Sequence, residues 1–152
     1  MRGMWIIGII LAAGEGRRMG GPKALLQIEG ESFLARAARL LAAGGAQRVV
    51  AVLGHQAERV RRAAGCGDDI VFEENPRYRD GMLTSILRGL DQAEALGADA
   101  VLIHAVAHPL VKPETVARVV AALEAGAVVA VPSFENRRGH PGGFARAAWP
   151  AL

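Results

Sequence analysis

The sequence predicts an α/β fold in which helices cover a mostly parallel β-sheet, giving three layers. Five short apolar runs, each typical of a buried strand, alternate with segments whose apolar residues recur every three or four positions. Strands that are buried on both faces are near-continuous in apolar residues, and intervening helices make successive strands parallel. A glycine-rich loop directly after the first apolar run fits this fold class, because parallel sheets bind ligands beyond the carboxyl ends of their strands.

The predicted strands and helices follow one another in a regular order. Strands are predicted at residues 4–12, 48–53, 70–72, 100–106 and 128–131, with a shorter extended piece at 25–29. Helices are predicted at 32–43, 55–64, 81–96 and 113–126, where Ser32 caps the first helix and Pro113 opens the last. The apolar spacing predicts three buried helix faces, which consist of Phe33, Leu34, Ala37, Leu40 and Leu41, of Leu83, Ile86, Leu87 and Leu90, and of Val116, Val119, Val120 and Leu123.

Length and composition bound the class of protein. The 152 residues, of which 51% are hydrophobic and 22% charged, predict one globular domain over residues 1–152. No apolar run reaches the roughly 18 residues of a membrane span, so no membrane partner is expected. A net charge of +3 and only 5% aromatic residues argue against nucleic-acid binding. Because Cys66 is the only cysteine, no intrachain disulfide can form, and a cytoplasmic location is expected.

The loop at residues 11–23, LAAGEGRRMGGPK, has the composition of a phosphate-binding site. Its glycines let the backbone approach a ligand closely, and Arg17, Arg18 and Lys23 add positive charge. Backbone N–H groups and cations that converge after a strand are suited to binding oxyanions. The alternative is a glycine-rich surface loop with solvated arginines.

Neither of the two better-known phosphate loops fits this segment. A Walker loop needs a lysine directly after its second glycine and then Ser or Thr, but Pro22 intervenes and Ala24 follows Lys23. A dinucleotide-binding fingerprint needs a third glycine where this chain has Met19. It also needs an acidic residue after the next strand, and none is present there.

Other polar clusters also follow predicted strands. They lie at residues 73–75 and 81–85 after the third strand, at 107–109 after the fourth, and at 137–141 after the fifth. Because the carboxyl ends of parallel strands meet at one edge of a sheet, these clusters are expected to converge on the glycine loop. Their convergence predicts a functional site at that edge.

The loop resembles the nucleotidyltransferase signature LAAG-x-G-x-R-M-G-x-x-K, and the chain is similar to the molybdenum-cofactor nucleotidyltransferase family. The Pro22-Lys23 pair is closest to its cytidylyltransferase branch. The resemblance implies a Rossmann-like fold of the nucleotide-diphospho-sugar transferase type, with Arg18 and Lys23 as catalytic cations on the nucleotide phosphates. The nucleotide-binding residues that it implies are Leu11, Ala12, Ala13, Gly14, Gly16, Arg18, Lys23, Asn75, Gly81, Met82 and Ser85.

Two downstream segments extend this resemblance. Asn75 with residues 81–85 resembles the family's Asn…Gly-Met-x-x-Ser segment, which helps to hold the base and the sugar. The alternative there is an ordinary helix N-terminus with Asp80 or Thr84 as a local cap. The segment Gly139, His140 and Pro141 resembles the family's Gly-His-Pro, which lies near the acceptor pocket. The alternative is that His140 is an ordinary loop histidine.

The chain departs from the family pattern in two places. The family carries an aspartate that binds catalytic Mg²⁺ after the fourth strand, where this chain has Ala107. Because Mg²⁺ prefers oxygen donors, His108 is a poor substitute, and no residue of this chain is predicted to bind the metal. Family members also continue past the position of Leu152, so C-terminal elements are expected to be missing. Apolar surface near residues 145–152 is then expected to be exposed or covered by another subunit in a homo-oligomer.

The resemblance implies a nucleotidyltransferase that transfers CMP from CTP to a phosphorylated molybdopterin-type acceptor and releases pyrophosphate. CTP or another nucleoside triphosphate and a pterin-type acceptor are therefore the expected partners, and Mg²⁺ is the expected cofactor of the family. Loss of the metal-binding aspartate predicts impaired activity. Two alternatives remain: a catalytically inactive nucleotide-binding protein that acts as a sensor or partner subunit, and a sugar-phosphate nucleotidyltransferase.

Overall fold

The structure is a computed structural model that describes residues 3–15 and 21–152. Its strands are β1 (Ile6–Ala12), β2 (Gln27–Ile28), β3 (Glu31–Ser32), β4 (Arg48–Leu53), β5 (Ile70–Glu74), β6 (Ala100–Ala105), β7 (Val129–Ala130), β8 (Ser133–Phe134), β9 (Arg137–Arg138) and β10 (Gly142–Ala145). Its α-helices are α1 (Phe33–Gly44), α2 (Ala57–Ala63), α3 (Met82–Ala95) and α4 (Pro113–Glu124). The four predicted helices and five predicted main strands are all present.

One six-stranded sheet forms the middle of the molecule, in the order β5-β4-β1-β6-β10-β7. The first four strands run parallel, and β10 is antiparallel to both β6 and β7. The prediction of a mostly parallel sheet is therefore confirmed. The sequence analysis did not predict β10, whose first two residues, Gly142 and Gly143, are unfavourable in strand interiors.

The two faces of β1 contribute to two separate hydrophobic clusters. Ile6 and Ile10 pack on one face with residues of α1 and α4, whereas Ile7 and Ile9 pack on the other with Leu90 of α3. All seven residues of β1 are buried, as expected for a strand with helices on both sides. The carboxyl end of β1 is therefore held rigidly at the middle of the sheet.

The helix boundaries agree with the predicted signals. The Ser32 hydroxyl accepts a hydrogen bond from the Ala35 amide at 3.0 Å, so the predicted cap of α1 is confirmed. Pro113 opens α4 in its first turn, where its missing N–H costs nothing. None of the helices in the described part of the chain is both long enough and apolar enough to cross a membrane.

The predicted buried face of α3 is partly wrong, because Leu83 and Leu87 are 52% and 46% exposed. The helix instead turns a stripe of small residues, with Leu90 beside it, toward the sheet. A Cβ added at Gly89 would lie 2.6 Å from Cγ2 of Ile9, which shows how closely α3 approaches β1. The small residues of this buried stripe are Ser85, Gly89 and Ala93.

Near residues 145–152, where exposed apolar surface is expected, Ala147, Pro150 and Ala151 are exposed. Ala148 is buried, and the indole N–H of Trp149 donates to the Phe144 carbonyl at 3.0 Å. A group of larger exposed apolar side chains lies along and beside the neighbouring edge strand, β7. They are Val128, Val129, Val131 and Phe134, the last of which is 78% exposed.

Candidate functional site

A cleft of about 270 Å³ opens at the carboxyl ends of β1 and β6. The start of α3 and the segment before it form its other wall. The structure therefore brings together most of the residues that the resemblance implied for the nucleotide. The residues that line the cleft are Leu11, Ala12, Ala13, Gly14, Lys23, Ala24, Tyr78, Met82, Ser85, Ala105, Val106 and Ala107. Two further residues of the implied set, Gly16 and Arg18, lie outside the described residues.

The chain leaves the sheet at the cleft floor. The Leu11 carbonyl accepts from the Val106 amide and the Ala13 carbonyl accepts from the His55 amide, each at 3.1 Å. These bonds fix the start of the glycine loop between the segments that follow β6 and β4. Lys23 is exposed on the cleft wall, and its ammonium group has no ion-pair partner among residues 3–15 and 21–152. It is thus available to an anionic ligand.

Asn75 holds the start of α3 through its side chain and does not line the cleft. Its side chain is buried, and its amide donates to Thr84 Oγ1 and to Ser85 Oγ, each at 2.9 Å. Its Oδ1 accepts from the Arg77 amide at 2.9 Å. Because these bonds use both amide hydrogens and engage the carbonyl oxygen, Asn75 positions Ser85, and its contact with a nucleotide stays a prediction.

The first turn of α3 has no side-chain cap. The Thr84 hydroxyl donates to the Gly81 carbonyl at 2.7 Å, and Asp80 pairs with Arg77. The alternative that Asp80 or Thr84 caps this helix is therefore wrong. Gly81 has φ 116° and ψ 163°, a conformation that favours glycine, and it does not line the cleft itself. No side chain caps the backbone amides in the first turn of α3. These amides give this wall of the cleft a partial positive charge.

Ser85 provides a polar group on the same wall. Its side chain is buried at the base of the cleft, where the hydroxyl oxygen accepts a hydrogen bond from Asn75. A serine hydroxyl carries one donor hydrogen in addition to its acceptor lone pairs. Among the residues that the structure describes, none accepts the hydroxyl hydrogen of Ser85, so this hydrogen is available for a ligand in the cleft.

Tyr78 lines the cleft and was missed by the sequence analysis. Its hydroxyl lies 3.3 Å from Nδ1 of His55, and the Arg79 guanidinium carbon lies 5.5 Å from its ring centroid. Arg79 in turn pairs with Glu15 of the glycine loop at 3.1 Å. The signal that could have identified Tyr78 is an aromatic residue, the only tyrosine of the chain, inside the matched segment between Asn75 and residue 81.

Gly54 is expected to be needed for the position of Tyr78. A Cβ added at Gly54 would lie 2.6 Å from Cβ of Tyr78, so Gly54→Ala should displace the tyrosine and destabilise the protein by about 1–3 kcal/mol. Urea denaturation measures the loss. Gly3→Ala is the matched control, because no atom lies within 4 Å of a Cβ added there. An unchanged unfolding midpoint in Gly54→Ala would show that Tyr78 is not held by this contact.

Three histidines form a cluster beside the cleft, which we call the histidine cluster: His104, His108 and His140. His104 belongs to β6 and is 1% exposed, whereas His108 is exposed in the turn that follows. The His108 and His140 rings are stacked with centroids 4.1 Å apart, and His104 meets His140 edge-on at 5.9 Å. Burial, followed by the neighbouring His140, lowers the pKa of His104 to about 4.

The implied acceptor residues are only partly brought together. His140 belongs to the histidine cluster, and burial lowers its pKa below the ordinary value. Pro141 is buried. The amide of Gly139 donates to the Pro132 carbonyl at 2.7 Å, which ties this residue to the segment after β7. None of the three is among the described residues that line the cleft, so their acceptor-binding role stays a prediction.

The described residues do not fit a divalent cation bound by carboxylates. None of the residues that line the cleft is acidic, and Ala107 presents a methyl group where a carboxylate would be needed. Within residues 3–15 and 21–152 no group of three or more His, Cys, Asp or Glu could hold a metal ion. Because Mg²⁺ requires oxygen ligands in near-octahedral geometry, no protein site for it is formed by these residues.

The fold and the cleft define an α/β protein with a ligand site of nucleotidyltransferase type at the carboxyl edge of its sheet. Comparison with known families agrees with this class. Residues 8–152 match the MobA-like NTP transferase domain, and the chain belongs to that family.

Three relatives illustrate the range of the family. The 2-C-methyl-D-erythritol 4-phosphate cytidylyltransferase of Cereibacter sphaeroides is 40% identical over 82% of this chain and 57% of its own length. The molybdenum cofactor guanylyltransferase of the same species is 36% identical over 84% of this chain and 63% of its own length. The nicotine blue oxidoreductase of Paenarthrobacter nicotinovorans is 34% identical over 90% of this chain and 69% of its own length.

The chain spans only part of the length of the relatives that it matches. It spans 31% of the Bradyrhizobium bifunctional protein GlmU, to which it is 38% identical over 142 residues. Among solved structures, the Rv0371c protein of Mycobacterium tuberculosis H37Rv superposes with a TM-score of 0.84 at 25% identity, covering 99% of this chain and 76% of that one. A complex of that protein with manganese superposes with a TM-score of 0.73 at 26% identity, covering 97% and 74%. These likenesses establish the nucleotide-diphospho-sugar transferase fold.

Proposed function

We propose that this chain binds a nucleoside triphosphate in the cleft and transfers its nucleotidyl group to a phosphorylated acceptor. An acceptor phosphate oxygen attacks the α-phosphorus, a new phosphoanhydride bond forms, and the bond to the β-phosphate breaks to release pyrophosphate. One observation carries the proposal. The Lys23 ammonium, which has no ion-pair partner within residues 3–15 and 21–152, lies on one cleft with the uncapped start of α3 and the Ser85 hydroxyl. The cation suits the triphosphate, and the N–H groups and the hydroxyl suit the polar edges of the base and the ribose.

We propose CTP as the donor and a phosphorylated molybdopterin-type compound as the acceptor. The donor is supported by the Pro22-Lys23 pair and by the cytidylyltransferase relatives. The acceptor is supported by the molybdenum cofactor guanylyltransferase relatives. A sugar-type phosphate is the alternative acceptor. It is supported by the cytidylyltransferase relatives, which are named for a methylerythritol phosphate.

The proposed roles follow from the placement of each residue. Lys23, and Arg18 as implied by the family resemblance, neutralise the phosphate oxygens of the nucleotide. The loop residues 11–14 and the start of α3 hold its base and ribose, with Asn75 keeping Ser85 in position. Because no carboxylate of the described residues lines the cleft, we propose that any divalent cation arrives with the triphosphate as part of the substrate. The manganese complex of Rv0371c is compatible with such a role for the metal.

A second candidate function is nucleotide binding without catalysis. It is favoured by Ala107, which stands on the cleft wall at the position where the family places an acidic residue. One similar protein, the nicotine blue oxidoreductase, is named for a reaction other than nucleotidyl transfer. In this case the chain would act as a sensor or a partner subunit.

Calorimetric titration with CTP and with GTP, each with and without Mg²⁺, tests the donor. We expect CTP to bind, and Lys23→Met to weaken that binding by roughly 10- to 100-fold, the effect of losing a charge-assisted hydrogen bond. Lys112→Met is the matched control, because Lys112 is an exposed lysine that does not line the cleft.

Pyrophosphate release with CTP and a phosphorylated acceptor then separates the two candidates. Release shows transfer, whereas binding without release supports the nucleotide-binding protein. Equal binding by Lys23→Met and by Lys112→Met would contradict the proposed site.

A further inference from the structure

Tyr78 is the aromatic residue of the cleft. It opens a short 3₁₀ turn, Tyr78–Asp80, that precedes α3, and it is half-buried on the cleft wall. Among the described residues that line the cleft, Tyr78 alone is aromatic, and most of the others are small or aliphatic. A flat, weakly polar ring is therefore the part of a ligand that suits this wall, because aromatic rings gain from contact with one another beyond the area that they bury.

Neighbouring residues hold the Tyr78 side chain in place. A Cβ added at Gly54 would lie 2.6 Å from its Cβ, and its hydroxyl lies 3.3 Å from Nδ1 of His55. The guanidinium carbon of Arg79 lies 5.5 Å from the ring centroid. The amide of His55 donates in turn to the Ala13 carbonyl at 3.1 Å. A side chain that is held in this way loses little rotamer freedom when it binds a ligand.

Arg79 connects this turn to the loop after β1. Its Nε donates to Oε1 of Glu15 at 3.1 Å, and the Arg79 side chain is 73% exposed. Glu15 follows the cleft-lining Gly14, and Arg79 follows the cleft-lining Tyr78, so the ion pair joins these two segments at the rim of the cleft. The pair therefore fixes the position of Tyr78 relative to the loop.

The positive charge and the aromatic ring belong to opposite walls of the cleft. Ala24, which follows Lys23, packs in the hydrophobic cluster on the α1 face of the sheet. The helix that follows Tyr78, α3, packs on the other face through Leu90. A ligand that contacts both walls must be anionic at one end and aromatic at the other, which is the construction of a nucleotide.

We infer that the Tyr78 ring contacts the base of the bound nucleotide, and that Arg79 is a positioning residue that holds the ring there through its pair with Glu15. The inference rests on the proposed function and deepens it, because it orients the nucleotide with its base toward the turn before α3 and its triphosphate toward Lys23. Since every base has an aromatic face, the contact adds affinity for nucleotides in general. The choice of base is then made by polar groups, of which the Ser85 hydroxyl is one.

The test is NMR on the full chain with ¹³C-labelled tyrosine rings. The chain has one tyrosine, so the ring gives a single set of signals that needs no assignment by mutation. CTP and inorganic triphosphate are titrated separately. We expect CTP to shift the ring signals and to give nuclear Overhauser contacts between the ring and the cytosine protons, whereas inorganic triphosphate, which lacks a base, leaves the signals in place. Bound CTP without such contacts, or equal shifts with inorganic triphosphate, would overturn the inference.

Substitution of Tyr78 measures what the ring contributes. Tyr78→Leu keeps an apolar side chain but removes the ring, and the affinities for CTP and for GTP are each expected to fall about tenfold, within the range of a lost base–aromatic contact. Tyr78→Phe keeps the ring, so calorimetry should show a loss of no more than about threefold, the effect of one weak hydrogen bond to His55. Equal losses in the two variants, or a loss for only one of the nucleotides, would contradict a ring contact. Urea denaturation checks that both variants are folded.

Arg79→Met tests the positioning role, with Arg77→Met as its matched control. Arg77 pairs with Asp80 of its own turn at 3.0 Å and does not join the two segments. Arg79→Met is expected to weaken CTP binding about two- to fivefold at low salt, the effect of one exposed ion pair. The difference from the native chain should vanish at about 1 M salt, where such pairs are screened. A loss that persists at high salt, or an equal loss in Arg77→Met, would contradict this role.

The outcomes separate this inference from the proposed function. If CTP binds by calorimetry but no contact joins Tyr78 to the cytosine, the nucleotide site stands and the inference falls. If the contact is present but no pyrophosphate is released with a phosphorylated acceptor, the inference holds and the proposed transfer fails. If neither CTP nor GTP binds, both fall.

Discussion

Replacing Asn75 with alanine is expected to destabilise the protein by about 2–4 kcal/mol, because three buried or half-buried hydrogen bonds are lost at once. The change leaves the Ser85 hydroxyl without its donor and frees the segment before α3. Since Ser85 lines the cleft, CTP affinity is expected to fall about tenfold as well. Urea denaturation gives the free energy of unfolding, and calorimetry gives the affinity.

Two further variants make this prediction specific. Asp91→Ala changes an exposed residue of the same helix and is expected to leave stability and affinity unchanged. Ser85→Ala in the Asn75→Ala background is expected to cost less than it does in the native chain, because the two residues share a hydrogen bond. Full additivity of the two changes would show that the bond contributes nothing.

The outcome for Asn75 also decides between two interpretations of the family resemblance. The resemblance implies that this residue holds the base or the sugar, whereas its hydrogen bonds in the structure all go to the protein. If Asn75→Ala loses CTP binding at unchanged stability, Asn75 contacts the nucleotide directly. If stability and affinity fall together, its role is to position Ser85.

The sequence was most informative where local signals and burial agree. β1 is apolar throughout and all of its residues are buried, so its prediction needed no knowledge of the neighbouring elements. Ser32 and Pro113 mark helix starts through contacts within a few residues. The position of the glycine loop at the carboxyl edge follows from the parallel order of the strands, and the cleft lies there.

The sequence was least informative where contacts join distant segments. The buried face of α3 is set by how closely Gly89 approaches Ile9, so the small residues face inward and two leucines that fit the helical period remain exposed. Likewise, the contact of His104 with His140 depends on β10. The sequence pattern does not predict β10, because its first two residues are glycines, which are unfavourable in strands. Tyr78 lines the cleft because it packs over Gly54, a contact that no local pattern indicates.

The last prediction concerns the missing carboxylate. Ala107 is exposed on the cleft wall directly after β6, so Ala107→Asp is expected to fold normally and to present an oxygen ligand to the cleft. Pyrophosphate release from CTP should then rise in the presence of Mg²⁺ by on the order of a thousandfold, the effect of several kcal/mol of transition-state stabilisation. Rates of pyrophosphate release with and without Mg²⁺ measure it.

Ala107→Asn is the matched control, because it has nearly the size of aspartate but lacks the charge, and it should leave the metal dependence unchanged. If the native chain releases no pyrophosphate and Ala107→Asp does, the cleft has kept nucleotide binding without catalysis, and the second candidate function holds. If both release pyrophosphate and only the variant gains from Mg²⁺, the native chain transfers nucleotides with charge supplied by its own cations. If Mg²⁺ affects the two alike, residue 107 does not face the bound triphosphate, and Ala107 is not the reason for any loss of catalysis.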